Sequence, residues 1–161
     1  MIYVVHVTSG MEYETVQALV MQGIKAYAPK HHLLERRRGE WTTVSRYLFP
    51  GYVFADLPQL TDEVYYKVRN TDGVIRFLGS PSPVPLSYSE QRRMQWIFDA
   101  GVLGVSKGHV HDGKIVITSG LLLGRESDII SFSKRQKRCK LCCEINGRKH
   151  YFSLSAELTN V

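Results

Sequence analysis

Three cysteines are the residues whose types could bind a metal ion or perform redox chemistry. Cys139-Lys-Leu-Cys142 has the C-x-x-C spacing of zinc ligands, and Cys143 follows directly. However, apolar and polar residues alternate from 138 to 145, which predicts a strand. On a strand, Cys139 and Cys142 face opposite sides and cannot share a metal ion. We therefore predict that the cysteines are structural thiols and that the chain binds no metal and no cofactor.

The remaining polar residues form no pattern that is typical of an enzyme. His31 and His32 are adjacent in a predicted strand, so their side chains diverge and cannot chelate one ion. The sequence has no glycine-rich loop that ends in Gly-Lys-Ser or Gly-Lys-Thr, and no nucleophile elbow. We therefore expect a protein that is not an enzyme.

Basic residues are concentrated in the last third of the chain, where they could bind phosphates. Residues 101–161 hold ten Lys/Arg against five Asp/Glu, whereas residues 1–100 hold eleven against ten. A charge run is often only a solvated face, but this one lies between two predicted strands and beside a hairpin, which favours an RNA-binding edge. The candidate RNA-binding residues are Lys107, His111, Arg125, Lys134, Arg135, Lys137, Arg138, Lys140, Arg148, Lys149 and His150.

The elements that must position these residues predict two domains of the α+β class. In residues 1–100, the order strand, helix, strands, helix, strand, helix predicts an antiparallel sheet with helices on one face. Two helices begin with capping-box spacing, at Ser9–Glu12 and at Ser87–Glu90. Residues 101–110 are rich in small residues and predict a linker. Residues 111–161 predict a small β-barrel, in which Asn146-Gly147 is a hairpin turn.

An aromatic block between the predicted strands carries the most specific signal. Arg46-Tyr-Leu-Phe-Pro-Gly-Tyr52 leads into Val53 and Phe54. Alternation places Tyr52 and Phe54 on one side of a strand and Val53 on the other. Such aromatics are usually buried, but on a rigid sheet they also serve as docking anchors.

The chain resembles the NusG family. The Phe-Pro-Gly-Tyr block and the run from Arg69 to Val74 resemble its N-terminal domain, the NGN domain, which has a ferredoxin-like fold. Residues 113–120 resemble the opening of a KOW motif, which implies a small SH3-like barrel. Leu121 replaces the usual proline of that motif and Ser127 a usual glycine. These departures favour a specialised paralogue, similar to the LoaP-type antiterminators that act on selected operons through an RNA hairpin.

The resemblance implies partners for the first domain. Phe49, Tyr52 and Phe54 would bind the clamp coiled coil of RNA polymerase, whereas Leu48 and Val53 would stay in the core. Tyr65 and Tyr66 would face the gate loop across the polymerase cleft, although Tyr65 could equally pack inward. A factor that contacts both sides would hold the clamp shut and suppress pausing and termination.

Alternatives remain open for the partners. The barrel of a general elongation factor would bind proteins such as a ribosomal protein or Rho, and a ribosome-associated KOW protein is a more distant alternative. Non-template DNA is a further possible ligand. We expect a monomer. We also expect a cytoplasmic location with no membrane contact, because the first residues lack a signal peptide and no apolar run reaches the length of a membrane span.

Overall fold

The computed structural model describes residues 1–79 and 81–160. Ser80 and Val161, the last residue of the predicted barrel, lie outside the described part. Three helices are described, α1 (Glu12–Met21), α2 (Asp62–Arg69) and α3 (Tyr88–Ala100). The strands before residue 101 are β1 (Ile2–Val7), β2 (Lys25–Tyr27), β3 (Lys30–Arg37), β4 (Glu40–Tyr47), β5 (Tyr52–Asp56) and β6 (Val74–Phe77). Those after it are β7 (Val102–Leu103), β8 (Ser106–His111), β9 (Lys114–Ser119), β10 (Ser131–Ser133), β11 (Arg138–Ile145) and β12 (Arg148–Asn160).

These elements form two compact units that interleave along the chain. The first unit contains Met1–Pro29, Phe49–Gly101 and Glu144–Arg148. The second contains Lys30–Leu48, Val102–Cys143 and residues 149–160. The β3–β4 hairpin therefore belongs to the second unit, although the sequence placed it in the first predicted domain.

The first unit is built on a four-stranded antiparallel sheet in the order β2-β5-β1-β6. Val5 lies opposite Val53 in this sheet, and both are fully buried in a core with Leu19 of α1 and Val68 of α2. This burial confirms the prediction that Val53 is a core residue.

α3 corrects the expectation that the helices of the first unit lie on one face of the sheet. Phe98 of α3 contacts Phe54, which alternates with Val53 and therefore lies on the face opposite the α1–α2 core. Helices consequently cover both faces.

The helix starts follow the sequence in one case and depart from it in another. Ser87 and Glu90 form the predicted capping box of α3, with the Ser87 hydroxyl accepting from the Glu90 amide at 3.1 Å. At α1, the predicted capping box is wrong, because the N-cap is Met11 and its side chain makes no capping hydrogen bond. The Glu12 side chain is buried and bonds elsewhere.

The second unit contains the five-stranded sheet β10-β11-β12-β8-β9, and β3 pairs with both β4 and β7. The predicted α+β class is confirmed. The Asn146-Gly147 turn is confirmed as well, since both residues have the positive φ values, 51° and 79°, of a type I′ turn.

The predicted linker at residues 101–110 is wrong as a description of local structure. β7 pairs with β3, and β8 lies between β12 and β9. Gly108 suggested a loop, but its lack of a side chain serves close packing within the sheet: a Cβ atom there would lie 2.2 Å from the Val116 carbonyl oxygen.

Candidate functional site

The aromatic block is only partly exposed. Phe49 and Phe54 retain 6% and 0% of their accessible surface. Their rings lie 5.6 Å apart, and the Phe54 ring lies 5.0 Å from Phe98. The prediction that Phe49 and Phe54 project as exposed aromatics is therefore wrong, because Phe98 of α3 covers this face of the sheet. Tyr52 is half-buried, with its ring 6.0 Å from that of His6.

Glu12 supports this block and was missed by the sequence analysis, which treated it as part of a capping box. Its side chain is 2% exposed. One carboxylate oxygen accepts a hydrogen bond from the Gly10 amide at 2.7 Å, and the other accepts from the Gly51 amide at 3.1 Å. The carboxylate thus fixes the turn that precedes Tyr52.

The two tyrosines of α2 differ in exposure. Tyr65 is half-buried and stacks on Phe77 with the ring centroids 5.4 Å apart. Tyr66 is 59% exposed, and its ring packs edge-on against Tyr65. Tyr66 is therefore the member of this pair that has surface available to a partner.

The basic segment of the second unit forms the loop between β10 and β11. Lys134 and Arg135 are exposed, and the Lys134 ammonium donates a hydrogen bond to Asn160 at the end of β12. Asn160 lies opposite Val110, next to His111, so this end of the sheet brings Lys134 towards His111. The loop therefore presents exposed cations at one edge of the sheet.

Arg138 has a different role from the one predicted. Its Nη1 atom donates to the Leu34 carbonyl oxygen and to the Ser155 hydroxyl, the latter at 3.0 Å. The Ser155 hydroxyl also accepts from the Leu34 amide at 2.9 Å. Burial lowers the pKa of the Arg138 guanidinium. Because protein groups engage this side chain, we assign Arg138 to the framework rather than to RNA contact.

The other predicted RNA-binding residues are distributed over several elements. Lys140 lies 4.8 Å from the Tyr151 ring centroid, and Lys149 is exposed. Arg148 is also exposed but groups with the first unit. His150 is half-buried, Lys107 is exposed on β8, and Arg125 forms an ion pair with Asp128. The structure thus joins the β10–β11 loop to the end of β12, whereas Arg148 and Lys149 lie beside the turn at the opposite end of β11.

His31 is buried near two arginines of the second unit. Its Nδ1 atom has no hydrogen-bond partner among the described residues. Burial first, and then the positive charges of Arg138, Arg46 and His32, lowers the pKa of His31 from its ordinary value of 6.5. Within residues 1–79 and 81–160, no three His, Cys, Asp or Glu side chains are grouped so that they could hold a metal ion.

Burial in β11 agrees with the alternation at Cys139 but not at Cys143, which the alternation places on the same side as Cys139. Cys139 is fully buried, whereas Cys142 and Cys143 are half-buried. Burial raises the pKa of the Cys139 thiol to about 11. Among the described residues, no helix is both long and apolar enough to cross a membrane.

Comparison with known proteins gives consistent matches. The family described as "NusG: Transcription termination factor nusG" matches residues 2–95. The transcription termination/antitermination protein NusG of Chlamydia trachomatis is 30% identical over 125 residues, which covers 68% of each chain. The Bacillus subtilis protein of the same name is 34% identical over 97 residues, covering 52% of this chain and 54% of its own. The structure titled "Domain interaction in Thermotoga maritima NusG" has a TM-score of 0.53 at 23% identity, covers 96% of this chain and 92% of its own, and shows a shared fold.

Proposed function

Because this chain belongs to the NusG family of transcription termination/antitermination factors, which are not enzymes, we propose that it is an antitermination factor recruited by RNA. The first unit binds RNA polymerase. The second unit binds a structured hairpin in the nascent leader RNA. Together they suppress pausing and termination at selected operons.

The distribution of charge is the observation that carries this proposal. The second unit holds fourteen Lys/Arg against six Asp/Glu, a net of +8, whereas the first holds seven against nine, a net of −2. Lys134 and Arg135 are exposed at the edge of the sheet, and Lys149 is exposed on β12. A strongly basic unit in a chain whose other unit is weakly acidic is typical of a protein that binds a polyanion.

The proposed polymerase contacts follow from exposure together with the family resemblance. Tyr52 presents the exposed part of the aromatic block to the clamp coiled coil, while Phe49 and Phe54 are buried and pack against each other. Tyr66 is available to the gate loop. A protein that grips both sides of the cleft opposes the clamp opening that accompanies hairpin-induced pausing.

The test is a titration of the full chain with two RNAs, a leader hairpin and an unrelated hairpin of equal length, at two salt concentrations. Contacts with four to six phosphates predict a log–log salt slope of roughly −3 to −5. The leader hairpin should bind about tenfold more tightly, because phosphate contacts alone do not discriminate between sequences.

A pair of charge-matched variants makes this test specific. Lys134→Glu with Arg135→Glu should abolish the preference for the leader hairpin. Arg92→Glu with Arg93→Glu changes the net charge equally, at exposed positions of α3, and should retain the preference. Equal and weak binding of both RNAs by the unaltered protein would instead support a general elongation factor whose barrel binds proteins.

A further inference from the structure

The β3–β4 hairpin has a face of alternating cations and aromatic rings that no role yet accounts for. Arg36 lies directly opposite Trp41 in the strand pairing, and Lys30 lies opposite Tyr47. The Lys30 ammonium is 4.8 Å from the centroid of the Tyr47 ring. Because strand residues two apart share a face, Lys30, Arg36, Trp41 and Tyr47 lie on one side of the hairpin. Exposed His32 and buried Leu34 lie on the same side between the two pairs.

The basic β10–β11 loop of the barrel reaches this same face. The Lys137 ammonium lies 4.7 Å from the centroid of the Trp41 ring. Trp41, Arg36, Gln136 and Arg138 belong to the lining of an open cleft of about 450 Å³. Arg138 also ties the backbone of β3 to the barrel through the Leu34 carbonyl, so this cleft has fixed walls.

The acidic residue of the cleft is already balanced by neighbouring arginines. Glu35 accepts hydrogen bonds from Arg37 at 2.9 Å and from Arg46 at 3.2 Å. The hydrogen bond from Arg37 and the charge of Arg46 hold the pKa of the Glu35 carboxyl below its ordinary value. Arg36 has no ion-pair partner among the described residues. The hairpin as a whole, residues 30–48, holds five Lys/Arg against two Asp/Glu.

We propose that this face, formed by Lys30, His32, Arg36, Trp41 and Tyr47 together with Lys137, binds unpaired nucleotides of RNA. A base stacks on the Trp41 ring, and Arg36 and Lys137 contact the adjoining phosphates. Aromatic rings interleaved with cations are the means by which proteins hold single-stranded nucleic acid, whereas bases inside a duplex offer no free face for stacking. The inference rests on the proposed function, since it continues the RNA path from the barrel loop onto the hairpin.

The test uses the two tryptophans of the chain, Trp41 and Trp96. In the full-length Trp96→Phe variant, Trp41 is the sole indole fluorophore. This variant is titrated with the leader hairpin, blunt or carrying a 5′ extension of about six unpaired nucleotides, a length within the site size of single-strand-binding folds. The extended RNA should quench Trp41 fluorescence and bind about tenfold more tightly than the blunt RNA.

Substitutions then assign the effect to the face. Arg36→Glu and Trp41→Ala should each abolish the advantage of the extension while leaving affinity for the blunt hairpin unchanged. Arg36 is exposed, so its substitution should leave the fold intact. The Arg36 variant therefore still tests the inference if Trp41→Ala does not fold. Arg92→Glu is the control and should behave like the unaltered protein.

Three outcomes would overturn the inference. These are equal affinity for the blunt and extended RNAs, unchanged Trp41 fluorescence, or tighter binding of an extension made of DNA. The inference and the proposed function can fail separately. If the blunt hairpin is not preferred over an unrelated one, the proposed function fails, whereas quenching by unpaired RNA still supports the hairpin face.

Discussion

Glu12 shows how one buried carboxylate can organise a surface made by other residues. The Gly51 amide, in the turn before Tyr52, donates its hydrogen bond to the Glu12 carboxylate. A buried donor that loses its acceptor costs more free energy than an average hydrogen bond contributes. Glu12 is thus a positioning residue for the aromatic block.

Glu12→Ala should lower the free energy of unfolding by about 1–3 kcal/mol, because it removes the acceptor of the buried Gly51 amide and of the partly buried Gly10 amide. Urea denaturation measures this change. Glu14→Ala lies on the same helix at an exposed position and should change stability by less than about 0.5 kcal/mol. Equal losses in the two variants would show that the Glu12 hydrogen bonds contribute nothing specific.

His31 should make the stability of the second unit decrease as the pH falls. Its pKa is lowered in the folded protein, so the unfolded chain binds a proton more readily. Stability from this group is therefore complete above the ordinary value of 6.5 and declines as the pH falls towards the folded pKa. The nearby charges of Arg138, Arg46 and His32 act in the same direction as burial.

Replacing His31 with Gln should reduce the loss of stability between pH 7.5 and pH 5.5. The measurement compares urea midpoints at the two pH values in His31→Gln and in His32→Gln, the latter an exposed neighbour. Only the first variant should flatten the pH dependence. If both variants lose stability on acidification as steeply as the unaltered protein, His31 is not the titrating group.

At the scale of elements, β11 buries Cys139 and leaves Cys142 and Cys143 half-buried. Cys139 should resist an aromatic disulfide reagent until the protein unfolds, because its pKa is about 11 and its side chain is buried. Cys142→Ser should change stability by less than about 0.5 kcal/mol, whereas Cys139→Ser should cost about 1–3 kcal/mol by burying a hydroxyl. Labelling of all three thiols at one rate, or one zinc ion per chain in the purified protein, would contradict this interpretation.

The extent to which the fold could be predicted differs between neighbouring elements. The alternation of apolar and polar residues was enough to predict the strand β11 and the opposite orientations of Val53 and Phe54 in β5. The period of a strand is a local property that the sequence shows directly. It could not reveal that Phe98 covers Phe54, since that contact joins residues far apart in the chain. Local composition likewise misled at Gly108, where glycine meets a steric demand from a partner strand rather than the needs of a loop.

Contacts between residues far apart in the chain also limit what the sequence can predict about the candidate RNA-binding site. The sequence predicts the basic segment, and Lys134 and Arg135 are exposed as a phosphate contact requires. It also grouped Arg138 with them, because composition cannot distinguish a solvated guanidinium from one that bonds a backbone carbonyl of a distant strand. For the same reason, Trp41 drew no attention, although Lys137 lies over its ring.

At the scale of the whole molecule, charge follows the compact units more closely than the halves of the chain. Counting residues 1–100 as one domain gives a net of +1, but this value combines a basic hairpin with an otherwise acidic remainder. The units themselves carry −2 and +8. This contrast fits the proposed division of labour, in which the basic unit recruits the factor to RNA and the other unit acts on polymerase.

Such a division predicts that RNA-binding variants can be rescued by concentration. Recruitment raises the local concentration of the factor near polymerase without changing its contacts there. The double variant Lys134→Glu and Arg135→Glu should need about tenfold more protein for antitermination on a template that encodes the leader hairpin. It should still reach the same maximum readthrough. The tenfold shift corresponds to a loss of about 1.4 kcal/mol in the free energy of RNA binding. Tyr52→Ala with Tyr66→Ala should instead lower the maximum readthrough even at saturating protein, because the proposed function assigns the polymerase contacts to these tyrosines. Readthrough measured by in vitro transcription over a range of factor concentrations separates the two patterns.

A reduced maximum for the Lys134 and Arg135 variant, at saturating protein, would show that the basic loop acts on polymerase directly rather than through recruitment.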